Sequence, residues 1–260
     1  MRVCLLVEYD GRGFCGFQSQ PSRCGVQDAL EQAIGAIAGT QVSVAPAGRT
    51  DAGVHATAQI VHFDVAAERP GTAWVRGVNS HLPSSAAVLW SMRVADSFHS
   101  RFAAMRRHYT YLLQNRRERA ALHAGKVGWY HHALDVAAMR EASAALVGTH
   151  DFSSFRAAEC QARSPVKTLS RLDIARHGDW LRFDFSADAF LHHMIRNVVG
   201  ALVYVGAHRQ PAQWIATLLH ARDRTQAAPT FAPDGLYFTG ADYPAEFDLP
   251  STRREIAWPA

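Results

Sequence analysis

Seven apolar residues, Leu191, Met194, Ile195, Val198, Val199, Leu202 and Val203, recur at i, i+3, i+4, i+7, i+8, i+11 and i+12. That period belongs to one face of an α-helix and cannot be matched by a strand. Gly206 ends the run, and Pro211 is placed for the first turn of a following helix with Trp214, Ile215, Leu218 and Leu219 on one side. The neighbourhood is different: residues 171–175 and 180–185 read as strands. The same mixture occurs earlier. A strand pattern at 2–9 precedes a helix after Gly25 carrying Val26, Leu30, Ile34 and Ile37. Strand patterns recur at 41–44 and 58–65. Val88, Trp90, Met92 and Val94 alternate, as do Tyr109, Tyr111 and Leu113, which puts both tyrosines on the same side of their strand. A further helix is expected over 135–147, stopped by Gly148. Lone helices flanked by strands at antiparallel spacing predict an α+β protein of two related halves joined near residues 97–107. The tail from Leu249 is polar and interrupted by proline, and reads as loosely held.

Composition narrows the class. Of 260 residues, 48% are hydrophobic and 19% charged, the balance of a soluble globular chain. The longest apolar stretch, 198–207, is too short to span a bilayer, so no membrane partner is expected. The first ten residues hold no secretory pattern, and the protein is read as cytoplasmic. Cys4, Cys15, Cys24 and Cys160 have no C-x-x-C spacing, which argues against a zinc site and against a disulfide framework. Net charge is +4, and of 27 basic residues only Lys126 and Lys167 are lysines. Arginine suits bidentate phosphate contacts and stacking; a GC-rich genome would give the same bias. Three clusters, Arg101/Arg106/Arg107/His108, Arg116/Arg117/Arg119 and Arg163/Lys167/Arg171, are interleaved with Phe102, Tyr109 and Tyr111. They fit RNA, with charges on phosphates and bases on rings, or simply solvated faces.

Two motifs invite readings that their context rejects. Gly11-Arg12-Gly13-Phe14-Cys15-Gly16 matches G-x-G-x-x-G after a strand, but Pro21 and the lack of helical period from Phe17 to Gly25 deny it the helix start that a dinucleotide needs. His192 and His193, taken as helical, would point about 100° apart and could not converge on one ion, so no metal is expected. Arg196 lies at the flank of the apolar stripe, where an arginine usually has an anionic partner. The stretch Gly48-Arg49-Thr50-Asp51-Ala52-Gly53-Val54-His55-Ala56 is different in kind. It places one carboxylate, Asp51, on a glycine-bracketed turn between strand patterns, where a side chain can be presented on a fixed backbone. A lone loop aspartate is most often a turn residue, and glycoside hydrolysis normally uses two carboxylates; a single carboxylate acting as nucleophile remains open.

That stretch resembles the corresponding motif of the TruA family of tRNA pseudouridine synthases, and the likeness extends along the chain. Glu8-Tyr9-Asp10-Gly11 with Gly16-Phe17-Gln18-Ser19-Gln20 is similar to the family's opening, with Phe17 in place of the usual tryptophan. Phe98-His99-Ser100-Arg101-Phe102, Arg107-His108-Tyr109-Thr110-Tyr111, His150–Arg156, Phe190–Asn197, Arg222-Asp223-Arg224 and Gly235-Leu236-Tyr237 follow in the family's order, so the resemblance covers roughly residues 2 to 244.

The resemblance implies a cofactor-free isomerase that detaches uracil from C1′ of a tRNA uridine, turns it, and rejoins it through C5. It implies that Asp51 is the catalytic aspartate, that Tyr109 stacks on the target base and takes part at C5, and that Arg196 pairs with Asp51. Arg49 is expected to help displace the target nucleotide, and Leu236 to form part of an apolar pocket wall. The implied fold is two RNA-recognition-like α+β halves, 1–105 and 106–247 with a tail 248–260. They share a continuous mixed, largely antiparallel sheet around a central RNA-binding cleft. The implied partner is the tRNA anticodon stem-loop, modified at positions 38, 39 and 40 by a homodimer. Two other classes compete: an RNA-binding or chaperone protein without catalysis, disfavoured because Asp51, Tyr109 and Arg196 are all present, and a nucleosidase or glycosidase, disfavoured by the missing paired acid.

Overall fold

The computed structural model describes residues 1–66 and 68–258. In chain order its strands and α-helices are β1 (Arg2–Tyr9), α1 (Val26–Ala38), β2 (Ala45–Pro46), β3 (His55–Asp64), β4 (Ala86–Val94), β5 (Arg106–Asn115), β6 (Gly128–Tyr130), α2 (Val136–Ala144), β7 (Gly148–Asp151), β8 (Val166–His177), β9 (Trp180–Ala187), α3 (Met194–Gly206), α4 (Trp214–Ala221) and β10 (Leu236–Asp242). The protein is α+β and its strand pairs are mostly antiparallel. Among the described residues the chain divides into two units: Met1–Arg107 with Tyr237–Ile256, and His108–Leu236 with residues 257 and 258.

In the first unit β1 is central, antiparallel to β3 on one side and to β4 on the other. Its residues Val3 to Val7 are almost wholly buried, so it reads as a continuous apolar run rather than an alternation. Helix α1 starts at Gly25, where Asp28 Oδ2 accepts the Gly25 N–H (3.0 Å), and stops at Gly39 with φ 72°, a left-handed C-cap that favours glycine. Its buried face holds Val26, Leu30, Ala33, Ile34 and Ala38. A π-helical stretch, Ala73–Gly77, covers the same unit through Trp74, whose ring meets Phe63 edge-on at 5.3 Å. The 41–44 strand pattern does not become a strand; pairing begins only at β2, against β3.

Residues 237–247 group with the first unit, because β10 pairs in parallel with β3 at Tyr237↔His55 and Phe238↔Ala56. The tail is also held, in contrast to its loose reading. Residues 252–254 run beside β10: Thr252 Oγ1 donates to Ala241 O (2.6 Å), Arg254 N–H to Thr239 O (3.0 Å), and Gly240 bridges Arg253. Arg254 then ion-pairs with Glu8 at 2.9 Å. These are mainly backbone contacts, which polar composition does not reveal. Residues 259 and 260 of that tail lie outside the described residues.

Cysteines correct a second reading. Cys15 and Cys24 form a disulfide, with Cα atoms 5.4 Å apart. A backbone bond from Cys15 N–H to Cys24 O (2.9 Å) brings the two arms of this loop together, which their spacing in sequence did not signal.

The second unit places β5, β9, β8 and β7 in that order, with β6 parallel to β5 and β8–β9 a hairpin. Helices α2 and α3 pack together, and Met194, Ile195, Val198, Val199, Leu202 and Val203 are buried as the periodicity predicts. Asn197, Gly200 and Ala201 are buried too, so α3 is enclosed on more than its apolar stripe. Leu191 to His193 lie in a turn before the helix, His193 having φ 60°. The helical argument for separating His192 and His193 therefore does not apply; their ring centroids are 4.0 Å apart. Among the described residues no helix is long and apolar enough to cross a membrane.

One buried titratable group gives a pH prediction. His62 on β3 accepts the Ser100 N–H at Nδ1 (3.2 Å), and burial, reinforced by His99 and Arg2, pushes its pKa down to about 4. The unfolded chain, with an ordinary histidine near 6.5, binds more protons between those values. Stability is therefore full above pH 6.5 and falls as pH drops toward 4, by at most about 3.5 kcal/mol at roughly 1.4 kcal/mol per pKa unit. Urea midpoints measured between pH 7.5 and 4.5 should show this slope, and His62→Gln should flatten it; the same slope in the variant would assign it elsewhere.

Candidate active site

Asp51 sits in the loop that leaves β2 and enters β3, half-buried, with Arg49 exposed two residues before it. The turn is closed by Val54 N–H donating to Asp51 O (3.1 Å) and by Gly53 at φ 80°, which favours glycine. Thr50 anchors the preceding residue: its carbonyl accepts the Phe17 N–H (2.9 Å), and its hydroxyl is 2.8 Å from Tyr9 Oη. Gln59 Nε2, on β3, donates to Gly48 O (2.7 Å). Burial pushes the Tyr9 phenol up to about 12, so it stays a neutral hydrogen-bonding group at working pH.

The glycine-rich segment after β1 braces this loop from the other side. Gly11 N–H donates to His55 Nδ1 (3.1 Å), and Asp10 Oδ1 lies 3.2 Å from the same nitrogen. The hydrogen bonds of Arg12 hold the Asp10 carboxyl down at about 2, so it is an anion throughout. His55 in turn stacks on Tyr237, centroids 4.6 Å apart. A Cβ on Gly16 would lie 3.0 Å from Thr50 O and 3.2 Å from Ala52 N, and one on Gly11 would run into Val54 O. The glycines are there for close backbone approach to the Asp51 loop. Residues 11–13 form only a short turn, and α1 begins at Val26.

Gly11→Ala should therefore displace the loop, costing about 1–3 kcal/mol of stability by overpacking and a larger fraction of turnover. Gly13→Ala, whose Cβ would meet only the Ser85 side chain at 3.2 Å, is the matched control. Urea midpoints and turnover of the two variants check this; equal effects would contradict it.

Tyr109, Arg196 and Leu236 belong to the second unit. Tyr109 is 8% exposed on β5 and meets Phe190 edge-on at 5.1 Å. Tyr111, two residues on, is fully buried; its hydroxyl donates to Ala232 O (2.8 Å), and burial raises its pKa well above the ordinary value. Arg196 lies in the first turn of α3, where Nε donates to Phe231 O (2.9 Å) and the main-chain carbonyl accepts the Phe231 N–H (3.2 Å). Leu236 is 5% exposed, next to Gly235, whose carbonyl accepts the Leu112 N–H (2.8 Å). The segment 230–236 thus ties α3 to β5 and gathers the tyrosine strand, Arg196 and Leu236 around it.

Several basic residues of the clusters that fit RNA or solvated faces are engaged in the fold. Arg107 donates to the carbonyls of Ala47 (3.3 Å), Ala104 (3.1 Å) and Arg101, which holds the start of the Asp51 segment to the entry of β5. Arg106 pairs with Asp242 (3.1 Å), Arg171 with Asp173 (2.5 Å), and His108 is buried against Ser186 Oγ (2.7 Å). Arg101, by contrast, is exposed over the ring of Phe102, itself 76% exposed.

Sequence reasoning missed the braces: Tyr9, Gln59 and His55 around Asp51, and Phe231 against Arg196. Tyr9 and His55 lie inside motifs that carry the likeness, but nothing in the sequence tied them to Asp51 as braces; Gln59 and Phe231 lie outside the motifs.

The Asp51 loop belongs to the first α+β unit, and Tyr109, Arg196 and Leu236 belong to the second. A family model described as tRNA pseudouridine synthase matches residues 5–103 and 142–244. The chain belongs to the tRNA pseudouridine synthase family. Over 259 residues it is 58% identical to a tRNA pseudouridine synthase A of Thiobacillus denitrificans, covering 100% of this chain and 99% of that protein. It is 62% identical over 252 residues to one of Chromobacterium violaceum, covering 96% of each, and 56% identical over 256 residues to one of Methylobacillus flagellatus, covering 98% of each.

Proposed function

We propose that this isomerase converts uridine to pseudouridine at positions 38, 39 and 40 of the tRNA anticodon stem-loop, with Asp51 as its catalytic carboxylate. The observation that carries the reading is identity above half along essentially the whole chain with proteins named tRNA pseudouridine synthase A, together with the Asp51 loop braced on every side by the motifs that carry the likeness. The reaction needs no co-reactant. The N1–C1′ bond breaks, the base turns, a C5–C1′ bond forms, the C5 proton leaves and N1 gains one, so atoms and electrons balance.

In this reading Asp51 attacks the base or the sugar, or promotes elimination at C2′. Arg196 pairs with it, and Tyr109 stacks on the base and takes part in moving the C5 proton. Arg49, exposed beside Asp51, helps displace the target nucleotide, since chemistry on a stacked base requires flipping it out. Leu236 contributes to the apolar wall of the pocket. The two halves, 1–105 and 106–247, flank a central RNA-binding cleft, and the enzyme works in the cytoplasm as a homodimer with tRNA bound across both subunits. The positional assignment is tested by carbodiimide modification and primer extension on unmodified tRNAs with uridine at 38, 39 or 40. Stops at those positions are expected; stops only outside the anticodon stem-loop would overturn it.

A further inference from the structure

Beside Arg196 lies a polar cluster, centred on a buried asparagine, that the chemistry above does not use. Asn197 is 0% exposed in the first turn of α3. Its Nδ2 donates to Phe155 O (2.8 Å), and its Oδ1 accepts from Thr230 Oγ1 (2.7 Å) and from Arg224 Nη2 (3.1 Å). Arg224 Nη2 also donates to Thr230 Oγ1 (3.1 Å), which closes a three-membered ring of hydrogen bonds. Arg224 itself stands in a short turn begun by Asp223, whose carboxylate accepts from Thr225 N (2.9 Å) and Oγ1 (2.7 Å). Such a network favours one geometry, because a rearrangement would leave the buried Asn197 amide without partners away from water.

What it fixes is the residue next to Thr230. Phe231 holds Arg196 twice, by main chain and by Nε, so the placement of Phe231 sets the direction of the guanidinium. The other side of the segment is held as well: Tyr111 Oη donates to Ala232 O, and its ring lies 5.9 Å from that of Phe231. Gly200 completes the fit, since a Cβ there would run into Pro229 O.

We infer that Asn197, Arg224 and Thr230 form a positioning device that aims Arg196, acting on turnover through Arg196 rather than on tRNA. The inference rests on Arg196 having the role proposed above. Its function is to remove the side-chain freedom of a long arginine before substrate arrives, so that the guanidinium needs no reorganisation during the reaction.

The test is a double-mutant cycle read in kcat and KM. Thr230→Val, nearly isosteric, should lower kcat about ten-fold, the scale of one hydrogen bond to a buried group, with KM for tRNA within two-fold, and Thr230→Ser should restore kcat. In the Arg196→Ala background Thr230→Val should change kcat little, because the group it aims is gone. Equal losses in both backgrounds, or an unchanged kcat in Thr230→Val, would overturn the inference alone. Full turnover in Arg196→Ala would overturn the role of Arg196 and the inference together. A thermal melt of each variant reports folding, and Thr230→Ser keeps the test valid should the valine destabilise the segment.

Discussion

Asp51→Ala is expected to lower turnover by about a thousand-fold or more, the range lost when a group acting directly on the reacting atoms is removed, while tRNA binding changes little. The fold should survive, because the turn is held by groups the substitution leaves in place. Asp51 contributes its backbone carbonyl to Val54 N–H, Gly53 supplies the positive φ, and Thr50 keeps its bonds to Phe17 and Tyr9. Turnover by pseudouridine analysis and affinity by filter binding check this on the same preparation. A variant that has lost binding and turnover equally would make Asp51 a binding group instead.

Arg196→Ala is the second large effect, expected at about 10²- to 10³-fold in turnover with a smaller change in affinity. The range follows from the proposed pairing, in which the substitution leaves Asp51 without its cation; at about 1.4 kcal/mol per ten-fold it corresponds to about 3–4 kcal/mol. Arg196→Lys should recover little. Lysine keeps the charge but lacks the planar fork with an Nε that can stay on Phe231 O while its other nitrogens face an anion. Single-turnover rates at saturating enzyme separate this from binding. A rate equal to wild type in Arg196→Ala, with affinity lost, would count against the pairing with Asp51.

What could be read from the chain follows from the range of each interaction. The apolar repeat from Met194 to Val203 and the alternation in β5 are local, and both produce the elements they predict. Leu191 fits the same repeat yet lies in a turn, because the left-handed His193 interrupts the helix and apolar spacing carries no information on φ. The Asp51 motif was legible as a carboxylate on a glycine-bracketed turn. Its braces were not, since Tyr9, Gly11 and Gly16 meet it across some forty residues through backbone groups and hydroxyls common in any sequence. Arg107, in a cluster that fitted RNA or a solvated face, binds three carbonyls; charge pattern cannot distinguish an arginine facing solvent from one capping a turn. The tail and the Cys15–Cys24 bridge are likewise set by backbone pairing.

The central claim, that the braced Asp51 loop serves an isomerisation and not a hydrolysis, is tested most directly with unmodified tRNA tritiated at uracil C5. Wild-type protein should release tritium to water in proportion to pseudouridine formed, with no free uracil, and Asp51→Ala should bind the same tRNA and release none. Free uracil in the supernatant would identify a hydrolase, and tight binding by the wild type without tritium release would leave no isomerase at all.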